Sequence, residues 1–213
     1  MLRSLSSSLA MLVLWNAGSF VAVVTADDVV IAAAPEKTLP LKVGEQVPEL
    51  TLKTASGDEI ALASLYKKQP LVLVFFRGGW CPICSRHTAE LIKAYPEMKE
   101  LGAEMVGISP DSVESSKANI DKNTIGFPIL SDADVSAAKA FGLAFKVDDD
   151  TVTKYKGFGI DLEKASGQPH HVLPIPAVYI LDKTGRIVFA HSNPDYRQRL
   201  DAGTIVEELK KVK

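Results

Sequence analysis

The chain holds 213 residues, 46% of them hydrophobic and 23% charged, which is enough for one globular domain with an ample core. Its formal net charge of −2 implies no basic face, so nucleic acid and anionic membrane surfaces are poor partners. No internal repeat, low-complexity tract or long run of charge divides it.

Residues 1–26 are a different kind of sequence. Arg3 gives a short positive start, residues 9–24 are mostly apolar, and Val24-Thr25-Ala26 offers a small-residue cleavage site. This pattern predicts a signal peptide cut after Ala26, an exported (periplasmic or secreted) protein, and no membrane attachment after cleavage; an uncleaved anchor fits less well because Asn16 and Gly18 interrupt the apolar run, and a transit peptide less well because only one Arg is present. Residues 27–41 lack periodicity and read as a linker, which leaves 42–213 as the domain. Short strands are predicted at 50–53 and 59–61 around the Ser56-Gly57-Asp58 turn, then a brief helix at 63–66. Residues 71–76, LVLVFF, form a β-branched and aromatic run too short for a lone helix, and predict a buried strand. A turn follows at Arg77-Gly78-Gly79-Trp80. The next helix opens at Cys81, because Pro82 suits a first helical position where its missing N–H costs nothing. Ile83, His87, Leu91, Tyr95 and Met98 recur at helical spacing as one buried stripe, and Pro96 predicts a kink.

Further on, the pattern predicts a strand at 103–109, a polar helix at 112–121, a strand at 127–130 and a helix at 133–141 closed by Gly142. Residues 145–174 read as an insert, partly helical near 152–155. Strands at 177–181 and 186–191 flank Asp182-Lys183-Thr184-Gly185, with glycine at the left-handed position. Asp201 caps a final helix, 202–211. Strands separated by helices, then a hairpin and a helix, predict an α/β fold of three layers with a central mixed β-sheet flanked by helices.

The chemistry concentrates at Cys81 and Cys84, the only two cysteines. At the N-cap and the third helical position, both thiols lie in the positive field of a helix start, which favours the reactive thiolate. A structural zinc needs four ligands, and the chain has no second Cys-x-x-Cys or spaced histidine pair, so neither a metal nor another cofactor is called for. A bridge across two residues restrains the unfolded chain little, so the spacing suits a disulfide that is made and broken. These features predict a thiol redox protein. Arg77 is the nearest fixed cation in sequence; it either lowers a thiolate pKa and polarises a peroxide or is a solvated turn residue. Trp80 is expected to shield the site, Arg86 to lie at the surface and His87 to be a satisfied core histidine. His170 and His171 are expected in an exposed loop, and Asp182 in its turn.

FFRGGWCPIC, GFPILSDADVSAAKAFGL and LPIPAVYILDKTGRIVFAHSNPDYRQR together resemble the peroxiredoxin-like branch of the alkyl hydroperoxide reductase / thiol-specific antioxidant superfamily, over residues 42–211. The resemblance implies a thioredoxin fold and a thiol peroxidase that reduces hydroperoxides and is regenerated by an external thiol reductant. In the family pattern Pro-x-x-x-Thr/Ser-x-x-Cys, Cys84 takes the place of the peroxidatic cysteine, Cys81 that of Thr/Ser, and Arg77 that of the proline. Trp80-Cys81-Pro82-Ile83-Cys84 is also similar to the thioredoxin Trp-Cys-x-x-Cys site, which implies exchange with a protein disulfide and first attack by Cys81. On that likeness the Ile175–Pro176 bond is expected to be cis, with Pro176 facing Cys81 and helping to bind substrate. Copper metallochaperones of this fold use two cysteines and a histidine, residue types that Cys81, Cys84 and His87 supply at a different spacing. An extracellular binding module with a permanent disulfide is a further reading. Nothing in the sequence fixes an oligomeric state.

Overall fold

The computed structural model describes residues 31–212; residues 1–26, which carry the signal-peptide expectation, lie outside the described residues. β1 (Thr51–Thr54) and β2 (Glu59–Ala61) precede α1 (Ala63–Tyr66) and β3 (Leu71–Phe75). Next come α2 (Pro82–Glu100), β4 (Glu104–Ser109), α3 (Val113–Asn123), β5 (Ile129–Ser131) and α4 (Ser136–Ala140). Then follow β6 (Ala144–Lys146), α5 (Asp149–Gly157), α6 (Leu162–Ser166), β7 (Val172–Pro174), β8 (Ala177–Leu181), β9 (Ile187–Ser192) and α7 (Ala202–Leu209).

Seven strands form one mixed sheet in the order β2-β1-β5-β4-β3-β8-β9, and β6 and β7 form a separate two-stranded ribbon. β3 pairs parallel with β4 and antiparallel with β8, so it is central and buried on both faces. Alternation along it separates two cores. Leu71, Leu73 and Phe75 pack with Tyr66, Phe141 and Tyr179, whereas Val72, Val74 and Phe76 pack with Leu91 and Met98 of α2 and Ile205 of α7. The three layers and the thioredoxin-like mixed sheet agree with the expectation.

Departures from the expected elements have local causes. α4 is shorter than predicted because Val135 sits at φ +55° before it, and buried Asp132 accepts the N–H groups of Ala137 and Ala138, each at 2.8 Å. The insert is more ordered than its sequence suggested: antiparallel pairing of β6 with β7 encloses α5 and α6. Residues 31–41, read as a linker, run beside this ribbon, with Ala32 N–H bonded to Ala144 O at 3.0 Å and Leu39 N–H to Gly142 O at 3.1 Å. Gly142 is required there, since a Cβ would lie 2.0 Å from Leu39 O. Helix α2 continues through Pro96, which lies on its exposed side.

The expected cis bond at Ile175–Pro176 is corrected: no cis peptide occurs among the described residues. Ile175 N–H bonds Leu143 O at 3.0 Å and Asn193 N–H bonds Pro176 O at 3.1 Å. The chain thus crosses from β7 to β8 in an extended, paired path that the intrinsically preferred trans isomer fits.

Candidate active site

Parallel strands β3 and β4 end at the same edge of the sheet, and the loops after them meet there. In the loop after β3, Gly78 adopts φ +141°, and a Cβ on it would lie 2.2 Å from Trp80 Nε1. Gly79 N–H donates to Asp111 Oδ2, from the loop after β4, at 2.7 Å. This turn delivers Cys81 as the N-cap of α2, with Pro82 at the first helical position and Cys84 at the third. Cys81 Sγ accepts the Cys84 N–H at 3.4 Å. Both cysteines are free thiols and each is 2% exposed.

Arg199, between β9 and α7, donates from Nη2 to Cys84 Sγ at 3.2 Å. A hydrogen bond from the Cys84 thiol, aided by the Cys84 backbone N–H and the charges of Arg77 and Arg199, lowers the Cys81 thiol to about 6 against the opposing effect of burial. Burial pushes the Cys84 thiol well up, and the bond to Cys81 adds to this. The sulfurs therefore hold one negative charge between them near neutral pH, and the first ionisation belongs to the pair.

Arg77 is no solvated turn residue. It is 4% exposed, and its Nη2 donates to the Tyr155 hydroxyl from α5. Its guanidinium carbon lies 4.1 Å from the Tyr196 ring centroid, 5.3 Å from that of Trp80 and 5.4 Å from that of Tyr155. Trp80 is half-buried and packs on Tyr155, with ring centroids 5.8 Å apart. Pro176 lines a cleft beside Arg77 and Tyr196; with its peptide trans, the likeness to a thioredoxin's partner-binding proline is lost.

His87 is a satisfied core histidine, as expected: it is buried, with Nε2 2.9 Å from Leu200 O, and burial lowers its pKa. Arg86 is exposed, and Asp182 accepts Thr184 N–H within its turn. His170 and His171 depart from the exposed-loop expectation. His170 is half-buried, accepting Val172 N–H at Nδ1 (2.9 Å), so its Nε2 donates to Ala133 O (2.8 Å). His171, also half-buried, places Nε2 2.8 Å from Glu163 Oε1. Arg199, Tyr155, Tyr196 and Asp111 were not picked out from sequence. Arg199 lies within the NPDYRQR stretch, but only packing separates it from Arg197, which pairs instead with Asp195 at 2.8 Å.

Residues 43–190 match the AhpC/TSA family. The chain is similar to the chloroplastic peroxiredoxin Q of Sedum lineare, with 31% identity over 150 residues that cover 70% of this chain and 68% of that protein. Peroxiredoxin Bcp of Bacillus subtilis is 25% identical over 70% of this chain and 84% of its own length. Against further chloroplastic peroxiredoxin Q proteins, the chain spans 58–60% of their lengths. Among solved structures, peroxidoxin BcpB of Mycobacterium tuberculosis superposes with a TM-score of 0.64 at 20% identity, covering 81% of this chain and 99% of that one. These comparisons correct the expectation of export: the peroxiredoxin Q relatives are chloroplastic proteins.

Proposed function

The chain belongs to the AhpC/TSA family and is an oxidoreductase of the peroxiredoxin type; from that premise we propose that Cys84 and Cys81 reduce a hydroperoxide through one dithiol–disulfide cycle. The observation that carries this reading is the Arg199 Nη2 donor 3.2 Å from Cys84 Sγ, at the start of α2. A charge-assisted donor there favours thiolate on Cys84, and it is also in place for charge developing on a peroxide oxygen.

As the hydroperoxide enters, the pair's single negative charge gathers on Cys84 while the shared proton moves to Cys81. Cys84 sulfur attacks the terminal peroxide oxygen; the S–O bond forms as the O–O bond breaks. The alkoxide leaves with the Cys81 proton as an alcohol, and Cys84 becomes a sulfenic acid. Cys81, now a thiolate, attacks that sulfur and forms the disulfide, and the departing hydroxide takes a proton from solvent to become water. An external dithiol returns two electrons by exchange.

A second reading has Cys81 attack the disulfide of a partner protein first, in the thioredoxin order, and the lowering of its thiol to about 6 favours it. The copper-binding reading gains no support from His87, whose Nε2 is engaged by Leu200 O. Trapping with dimedone after peroxide treatment identifies the sulfur that meets peroxide. Peroxide treatment of Cys81→Ser should leave a sulfenic acid adduct on Cys84, and Cys84→Ser should leave little on Cys81. The reverse pattern would make Cys81 the sulfur that meets peroxide; no adduct on either variant contradicts peroxidase chemistry, and fast reduction of a protein disulfide that is lost in Cys81→Ser would then favour the second reading.

A further inference from the structure

Between Arg77 and the insert lies a cleft of about 200 Å³, open to solvent on one side. Pro35, Phe145, Val147, Ile175, Pro176 and Pro194 give it apolar walls. Arg77 reaches it from inside the protein, 4% exposed. Among the described residues its hydrogen-bond and ring partners are uncharged, the Tyr155 hydroxyl and the faces of Tyr196, Tyr155 and Trp80, and the one negative charge that acts on it is that shared by the two sulfurs. Among the described residues Nε has no hydrogen-bond partner and no ion pair includes Arg77. A buried guanidinium is ordinarily matched by a carboxylate or phosphate.

Among the described residues the one carboxylate lining the cleft is Asp148, and it is already engaged: Oδ1 accepts Thr151 N–H at 2.8 Å and Oδ2 accepts the Thr151 hydroxyl at 2.7 Å. Lys146 adds a second positive charge to the lining, with Nζ 2.6 Å from His170 O. A buried guanidinium with no carboxylate partner and a free Nε, set among proline and aliphatic walls, suits a ligand with an anionic head and an apolar body.

We propose that this cleft binds an amphipathic carboxylate of the fatty-acid type, its head group on Arg77 and its chain along the apolar walls. Neither cysteine lines the cleft, so the binding does not depend on peroxide turnover. It is nevertheless coupled to the thiols. Arg77's charge helps lower the Cys81 thiol, so an anion held on Arg77 opposes that effect, and ionised Cys81 in turn weakens the anion.

Calorimetric titration of the reduced protein with decanoate tests the proposal. The expected result is saturable one-to-one binding, weakened at least tenfold by Arg77→Gln. Exposed Ala33 lines the cleft, so Ala33→Glu places a competing carboxylate there and should weaken binding as much, with an unchanged circular dichroism spectrum. Decanol, which keeps the chain, and acetate, which keeps the charge, should each bind at least tenfold more weakly than decanoate. Bound decanoate should also move the onset of Cys81 alkylation to higher pH. Absence of saturable binding, equal binding of decanol or acetate, or an Ala33→Glu protein that binds as tightly as the parent would overturn it. No peroxide is present in the titration, so its failure is distinct from failure of the peroxidase reading.

Discussion

At the scale of residues, the site depends on how two sulfurs divide one charge between a thiol donor and two guanidinium groups. Cys81 is lowered from 9.0 to about 6, with the Cys84 thiol as the largest cause, so thiolate is present above that pH and lost below it. Iodoacetamide alkylation of reduced protein should therefore rise through about pH 6. In Cys84→Ala the donor is gone and the midpoint should climb toward 9.0; a midpoint that stays put would contradict the shared-proton account. Arg199 acts on the other sulfur. Arg199→Met should slow oxidation of the reduced protein by peroxide by about 10²-fold, the usual scale for losing one preorganised donor, while Arg199→Lys recovers part of the rate. Stopped-flow measurement of thiol loss is the check.

At the scale of elements, the strand–turn–helix from β3 through Trp80 to α2 does the positioning, and much of it was legible. An apolar run buried on both sides, a glycine pair and a proline one residue after a cysteine each have one physical reading, and they agree. The turn is also the most constrained segment. Gly78→Ala must accept φ +141° and a Cβ 2.2 Å from Trp80 Nε1, which should cost about 1–3 kcal/mol in urea unfolding and displace Trp80 from Tyr155. What stayed illegible arrives from far along the chain. Arg199 meets Cys84 across 115 residues, and Tyr155 meets Arg77 across 78. No local pattern marks either, because the docking of the insert and of the segment before α7 creates those contacts. The isomer at Pro176 was misread for a related reason: the hydrogen bonds that keep the extended path lie on Leu143 and Asn193, not beside the proline.

At the scale of the whole molecule, parallel pairing of β3 with β4 gathers Arg77, Asp111 and the two cysteines at one edge of the sheet. The insert then adds Tyr155, and the segment before α7 adds Tyr196 and Arg199. The mixed sheet flanked by helices is that expected from the sequence, whereas its strand order and the ribbon of β6 and β7 were not foreseen, since three-residue strands carry too little alternation to be recognised. Assembly of distant cations around a buried dithiol is what the account rests on. Its most direct test mixes reduced protein with one equivalent of hydrogen peroxide, follows thiol loss by stopped flow, and identifies the product by peptide mass spectrometry. The account predicts oxidation orders of magnitude faster than that of a free thiol, a product lacking two hydrogens with Cys81 joined to Cys84, and loss of the fast phase in Cys84→Ser. Oxidation at the rate of a free thiol, or a fast product with no bond between Cys81 and Cys84, would contradict it.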